Sequence, residues 1–267
     1  MSPRLFILCA ACLFFVTSCK KDAPIDIEKY GKISFQFVHK VNDQPLVTDT
    51  MIYTNTALNE YLINEVQYFI SDVILHKSDG TDVLITQGNG IHYIDTDIPS
   101  TMTWGAFDNI PAGSYSSVSF TFGINEIKNQ SNMYQNPPER DMFWPEFLGG
   151  GYHYMKLDGK WLDTNSQITP FNFHLGIGQI YAHNVIVVDS ITGFVQNYFT
   201  VTLPNSVFTI SENQTTNIEI IMNIESWFDT PHIWDFNYWG TNIMQNQQAM
   251  QEAKENGVDV FTVGAIQ

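Results

Sequence analysis

The sequence predicts an all-β protein: an antiparallel β-sandwich with a long irregular loop and a short C-terminal helix. Three observations carry this expectation. Apolar residues recur with period two in one segment after another, the signature of half-buried strands. Turn-forming clusters separate them: SDG at 78–80, PAG at 111–113 and TG at 192–193. Finally, 19 Phe, 12 Tyr and 6 Trp supply a large aromatic core for a 267-residue chain.

The chain starts with an apolar run, LFILCAACLFFV, after Arg4. It is too short to span a bilayer and has the length of a signal-peptide core. It ends in VTSC, which resembles a bacterial lipobox. We therefore expect a signal peptide over 1–18, lipid on Cys19, a polar tether over 19–30 and one domain over 31–267. The implied location is the outer membrane of a Gram-negative bacterium, facing periplasm or cell surface, with the lipid as the sole membrane contact.

Within the domain, KISFQFVHKV puts Ile33, Phe35, Phe37, His39 and Val41 on one face. EVQYFISDVILH reads as a longer strand, with a helix as the competing reading. SSVSFTFGI aligns Val118, Phe120, Phe122 and Ile124. From Asn125 to Leu148 the periodicity fails, as in a functional loop. YHYMKLDG then reads as a strand, with His153, Met155 and Leu157 on one face. In FNFHLGIG, His174 alternates against Phe171, Phe173 and Leu175, and glycines leave room beside it. NYFTVTLP and TNIEIIMNI give two further strands. TNIMQNQQAMQEAKENG reads as the helix, with Ile243, Met244, Gln247, Met250 and Ala253 along one side and Gly257 as its stop. VDVFTVGAI closes the chain as a strand.

Several functions are excluded at this level. Cys9 and Cys12 leave with the signal peptide and Cys19 takes lipid, so the domain has no disulfide, no zinc-thiolate cluster and no thiol nucleophile. The formal charge of −16, or −17 once Arg4 is removed, repels nucleic acid and anionic membranes. There is no HExxH or GxSxG, and no lysine follows the glycines as in a phosphate loop. Asp141, Glu146 and Asp158 show no paired spacing. No enzyme activity is expected. The glycines of GGGYHYM lead into a strand rather than a helix, which suits a bulge or close backbone approach more than a phosphate cradle.

What remains is histidine. The chain has seven. His39 lies on an apolar face, His153 shares a face with Met155, His174 has glycines beside it, and His232 sits in an aromatic loop, FDTPHIWDF. His76, His92 and His183 lie near strand ends or turns, where solvent exposure is expected. Imidazoles without thiolates suit copper, with zinc as the alternative. A second reading needs no metal: a binding or adhesion module whose Trp144, Trp161, Trp227, Trp234 and Trp239 stack on glycan or peptide.

FVHKVNDQPL, VQYFISDVIL, IPAGSYSSVSFTFGI, Asn129, MFWPEFLGGGYHYMKLDGKW and FNFHLG occur in this order. Together they resemble the MbnP-like family, the methanobactin-associated copper-binding proteins and related bacterial lipoproteins, over roughly residues 31–235. The resemblance implies a secreted β-sandwich that captures or delivers copper through histidines. By motif these are His39, His174 and His232, with His153 as a fourth or substitute ligand and Met155 as a further candidate. It also implies a dihaem oxidase-type partner that converts a tryptophan to kynurenine. Trp144 keeps the first tryptophan position, but Phe147 stands near the second. Gly264 and Ala265 stand where relatives often end in His-Val. At those positions the kynurenine chemistry and the full copper site of relatives do not carry over by motif.

Overall fold

The computed structural model describes residues 28–267. The expected signal peptide, Cys19 and most of the tether lie outside the described residues. Tyr30, placed in the tether by sequence, already opens the first strand, Tyr30–Val41.

Two sheets enclose the core. In the first, Tyr30–Val41 lies between Thr215–Asn223 and Thr103–Pro111, with Phe261–Ile266 outside Thr215–Asn223. The second runs in the order Ile168–Leu175, Met155–Leu162, Glu60–Lys77, Gly113–Phe122 and Phe199–Thr202, with shorter strands added along it. A separate hairpin pairs Gly178–Tyr181 with Ile191–Val195. Among the described strands, pairing is thus antiparallel apart from one pair: Tyr30–Val41 and Thr215–Asn223 run parallel.

The period-two reading predicts the buried faces well. Ile33, Phe35 and Phe37 are buried, as are Val118, Phe120 and Phe122, and Ile218, Ile220 and Met222. They meet between the sheets, where aromatic rings pack edge to face, as between Phe120 and Phe261 at 5.2 Å. EVQYFISDVILH is a strand, part of an 18-residue run whose register shifts between Ser71 and Ile74.

Four expectations need correction. Ile124, aligned by sequence with Val118, Phe120 and Phe122, packs instead with Phe69 and Tyr93, because the strand ends at Phe122 and Gly123 (φ 87°) breaks the alternation. The helix covers only Gln247–Asn256, capped by the Asn246 side chain, which accepts from the Ala249 amide. Ile243 is buried before the helix begins. Gly257 is no left-handed stop, since its φ is −65°. A Cβ there would come within 2.3 Å of Phe199 and 2.8 Å of Trp227, so glycine is required by packing. Finally, the strand after the glycine triplet starts at Met155 rather than Tyr152.

His39 sits on the inner face, as its alternation predicts, with its ring 5.6 Å from that of Tyr68 and nearly perpendicular. Neither of its ring nitrogens has a hydrogen-bond partner. Burial lowers its pKa to about 4 from an ordinary 6.5. The unfolded chain therefore takes up this proton first. The stability that depends on a neutral His39 is complete above pH 6.5 and is lost as the pH falls towards 4, by about 3 kcal/mol. Replacing His39→Phe removes the protonation without opening a cavity. Denaturant melts from pH 7.5 to 4 are expected to show a shallower loss of stability in His39→Phe than in the wild type, by up to about that amount.

Candidate metal centre

Strand alternation decides which histidines can meet. On Met155–Leu162, Met155 and Leu157 face the core, so Lys156 and Asp158 face outwards. On Ile168–Leu175, Phe171, Phe173 and Leu175 face the core, so His174 lies on the same outer face, opposite Lys156 and diagonal to Asp158. That diagonal is within side-chain reach. His174 donates from Nε2 to Asp158 Oδ1 at 2.8 Å.

The long loop covers this face. A small apolar cluster of Phe69, Ile91, Tyr93, Ile124, Met142 and Tyr152 packs the loop onto the outer side of the sheet. The glycine triplet then brings the chain back. Gly149, Gly150 and Gly151 have φ of 121°, 69° and 78°, a succession that side-chain-bearing residues rarely adopt. A Cβ at Gly151 would also come within 2.7 Å of the Asn129 side chain, which holds the Tyr152 amide at 2.9 Å. The turn delivers His153 beneath the loop, where its Nδ1 donates to the Met142 carbonyl at 2.9 Å.

His153 and His174 thus meet, with ring centroids 5.2 Å apart and planes at 87°. Both are more than nine-tenths buried. A carbonyl and a carboxylate only accept, so the proton sits on Nδ1 of His153 and on Nε2 of His174. The opposite nitrogens, His153 Nε2 and His174 Nδ1, are buried without any partner. Two adjacent imidazoles thus each have one nitrogen anchored by a hydrogen bond and the other bare, the chemistry of candidate ligands. Burial holds the His153 pKa well below its ordinary value, reinforced by the nearby Lys156 ammonium, which favours the neutral ring.

Trp144 forms one wall. It is fully buried, its ring lies 4.6 Å from that of His153, and its indole N–H donates to Leu148 O at 3.0 Å. The space beside His174 that the glycines of FNFHLGIG suggest is filled by this indole: a Cβ at Gly176 would come within 2.5 Å of it. Phe147, near the second expected tryptophan position, is exposed.

The other sequence candidates lie elsewhere. His39 is between the sheets, on the opposite face of the second sheet from His174. His232 pairs through Nε2 with Glu255 on the helix, and its backbone amide donates to Asn256. Met155 faces the core rather than sharing a face with His153, because regular alternation begins only at Met155. His183 is exposed as expected, but His92 is half-buried, stacked at 5.0 Å on Trp104, and donates to Thr101 O. Among the described residues, no group of three or more His, Cys, Asp or Glu side chains could hold a metal ion. Sequence reasoning missed Asp158 as the partner of His174 and Met142 as the partner of His153. Asp158 was within reach of a register argument; Met142 was not. Four of the five tryptophans proposed as stacking platforms are buried, and only Trp239 is partly accessible.

Fold and site together define a two-sheet β protein with a buried pair of imidazoles under a loop at one sheet face. The chain belongs to the MbnP family, whose model matches residues 30–250. Among solved structures it is similar to MbnP from Methylosinus trichosporium, with a TM-score of 0.50 and 14% sequence identity, covering 89% of this chain and 99% of that one. At that identity the likeness shows the fold. A comparison with curated proteins finds no match.

Two outcomes follow from the geometry. Asp158→Ala releases the His174 Nε2 proton, and 15N imidazole spectra are expected to show a mixture of tautomers in place of one Nε2–H form. Gly151→Ala forces a Cβ into positive φ and onto Asn129. Thermal or urea melts are expected to show a loss of about 1–3 kcal/mol.

Proposed function

We propose that this protein binds copper as Cu(I) at His153 and His174 and captures or delivers it without turnover. The observation that carries this reading is the buried pair of bare imidazole nitrogens, each held by a hydrogen bond on the far side of its ring. Membership of the MbnP family supports it.

The choice of metal follows from the donor set. Zinc sites in proteins take four ligands, or three with water. This centre offers two nitrogens, and Cu(I) accepts low coordination by imidazole. A monovalent ion also loses less hydration energy than a divalent one on entering a buried site. Asp158 supplies compensating negative charge one bond network away. The copper is cargo, so the protein's part is to bind and shield it: Trp144 and the loop exclude water, and the Met142 carbonyl and Asp158 aim the rings. In this reading lipid on Cys19 tethers the domain to the outer membrane.

Competition against a Cu(I)-specific chromophoric chelator tests the assignment. One equivalent of Cu(I) is expected to bind, with His153→Ala and His174→Ala each weakening affinity at least about 100-fold. His232→Ala, whose ring is already ion-paired, is expected to change it less than about threefold. Stoichiometric uptake by a His153→Ala/His174→Ala double variant would refute the site.

A further inference from the structure

The glycine triplet borders a second concavity. A cavity of about 390 Å³ opens beside it, lined by Glu126, Asn129, Gln130, Ser131, Phe194 and Gln196, together with Gly149, Gly151 and Ile177. None of His153, His174, Asp158 or Met142 lines it. The volume is that of a small-molecule site.

Its polar groups divide into those that build the wall and those left over. Asn129 is consumed by Tyr152, whose amide donates to Oδ1 at 2.9 Å and whose carbonyl accepts from Nδ2 at 3.4 Å. Ser131 Oγ accepts from the Gly151 amide at 2.8 Å and keeps its own proton to donate. Gln196 Oε1 accepts from the Tyr154 hydroxyl at 2.7 Å, which fixes the amide and leaves its NH2 as a donor. Gln130 Nε2 donates to the Glu126 and Ile127 carbonyls, which leaves Oε1 as an acceptor. The Glu126 side chain is exposed at the rim, a further acceptor. Phe194, from the Gly178–Tyr181/Ile191–Val195 hairpin, is 49% exposed and offers a flat apolar face. The missing Cβ at Gly149 is what lets this ring and Ile177 approach: it would lie 3.2 Å from Phe194 and 2.7 Å from Ile177.

This inventory selects a ligand class. No lysine or arginine lines the cavity, and the chain carries a formal charge of −16, so anions are disfavoured. A purely apolar ligand would leave the Gln196 amide, the Ser131 hydroxyl and the Gln130 carbonyl unpaired. What fits is a neutral molecule with several hydroxyls that both donate and accept, and an apolar C–H face to lie on an aromatic ring. We propose that this cavity binds a neutral pyranose sugar, free or as the terminal unit of a glycan, with Phe194 as the platform and Gln196, Gln130 and Glu126 as the hydroxyl-reading groups. The site is separate from the copper centre and does not depend on it.

Saturation-transfer NMR on the full chain tests this, with glucose, galactose and N-acetylglucosamine at about 10 mM each, and with glucuronate and butylamine as charged probes. At least one neutral sugar is expected to bind, with saturation concentrated on ring C–H protons. Phe194→Ala and Gln196→Ala are each expected to weaken it at least tenfold while the near-UV circular dichroism is unchanged. Glucuronate is expected not to bind. The His153→Ala/His174→Ala double variant is expected to bind sugar as the wild type does, which separates this result from the copper reading. Absence of binding by all three sugars, binding unaffected by Phe194→Ala, or preferential binding of butylamine would each overturn the proposal.

Discussion

Backbone pairing along Glu60–Lys77 is the constraint on which the second sheet depends. Among the described residues, five other strands hydrogen-bond to it: Tyr53–Thr54, Asp82–Leu84, Ile91–Asp95, Gly113–Phe122 and Met155–Leu162. Its alternation fixes two chemically different faces. Inward, Tyr68 meets the ring of His39 across the sandwich. Outward, Glu65 and Gln67 lie beside Asp158 and Lys156, and Phe69 anchors the covering loop. Because a side chain cannot change face without a shift in register, this strand also decides which histidines share a site.

That constraint explains how much was legible in the sequence. Period-two patterns identified the core faces because both sheets bury one side, and burial writes itself into alternating residues. His174 was placed correctly as facing away from Phe173 and Leu175 for the same reason. His153 was not placed correctly. Its apparent alternation with Met155 runs through Tyr152–Tyr154, where the chain is irregular, so the pattern was accidental. The meeting of His153 with His174 depends on three successive positive-φ glycines and a loop of about two dozen residues, and neither has a period to read. Gly257 shows a related limit: a glycine at the end of a helix suggests a cap, but here the aromatic rings of Phe199 and Trp227 demand it.

The buried polar groups divide by whether they are answered. Asp95 takes hydrogen bonds from the Tyr93 hydroxyl, from Gln67 and from the Asp97 amide. Glu225 accepts from Tyr61, and its pKa is raised to about 7, chiefly by burial. These are structural groups with their partners in place. Among the described residues, the buried side-chain nitrogens left without partners are on His39, His153, His174 and Trp227. An unmet buried nitrogen costs on the order of 1–3 kcal/mol. At His153 and His174 two such costs fall side by side, with both rings oriented by hydrogen bonds on their far nitrogens.

The two imidazoles are near neighbours in sequence, at 153 and 174, and are joined by one hairpin. The groups bonded to their rings, Met142 and Asp158, and the glycine turn also fall within residues 142–174, with Asn129 and Ser131 bracing that turn from outside. The centre is therefore a cassette carried on one edge of the sandwich, while the aromatic core is assembled from both ends of the chain through the parallel pairing of Tyr30–Val41 with Thr215–Asn223. Substitutions at the outward-facing positions of that short window can remake or erase the pair while the inward-facing residues keep the scaffold. Divergence of ligand chemistry within a constant fold is the evolutionary behaviour such an arrangement permits.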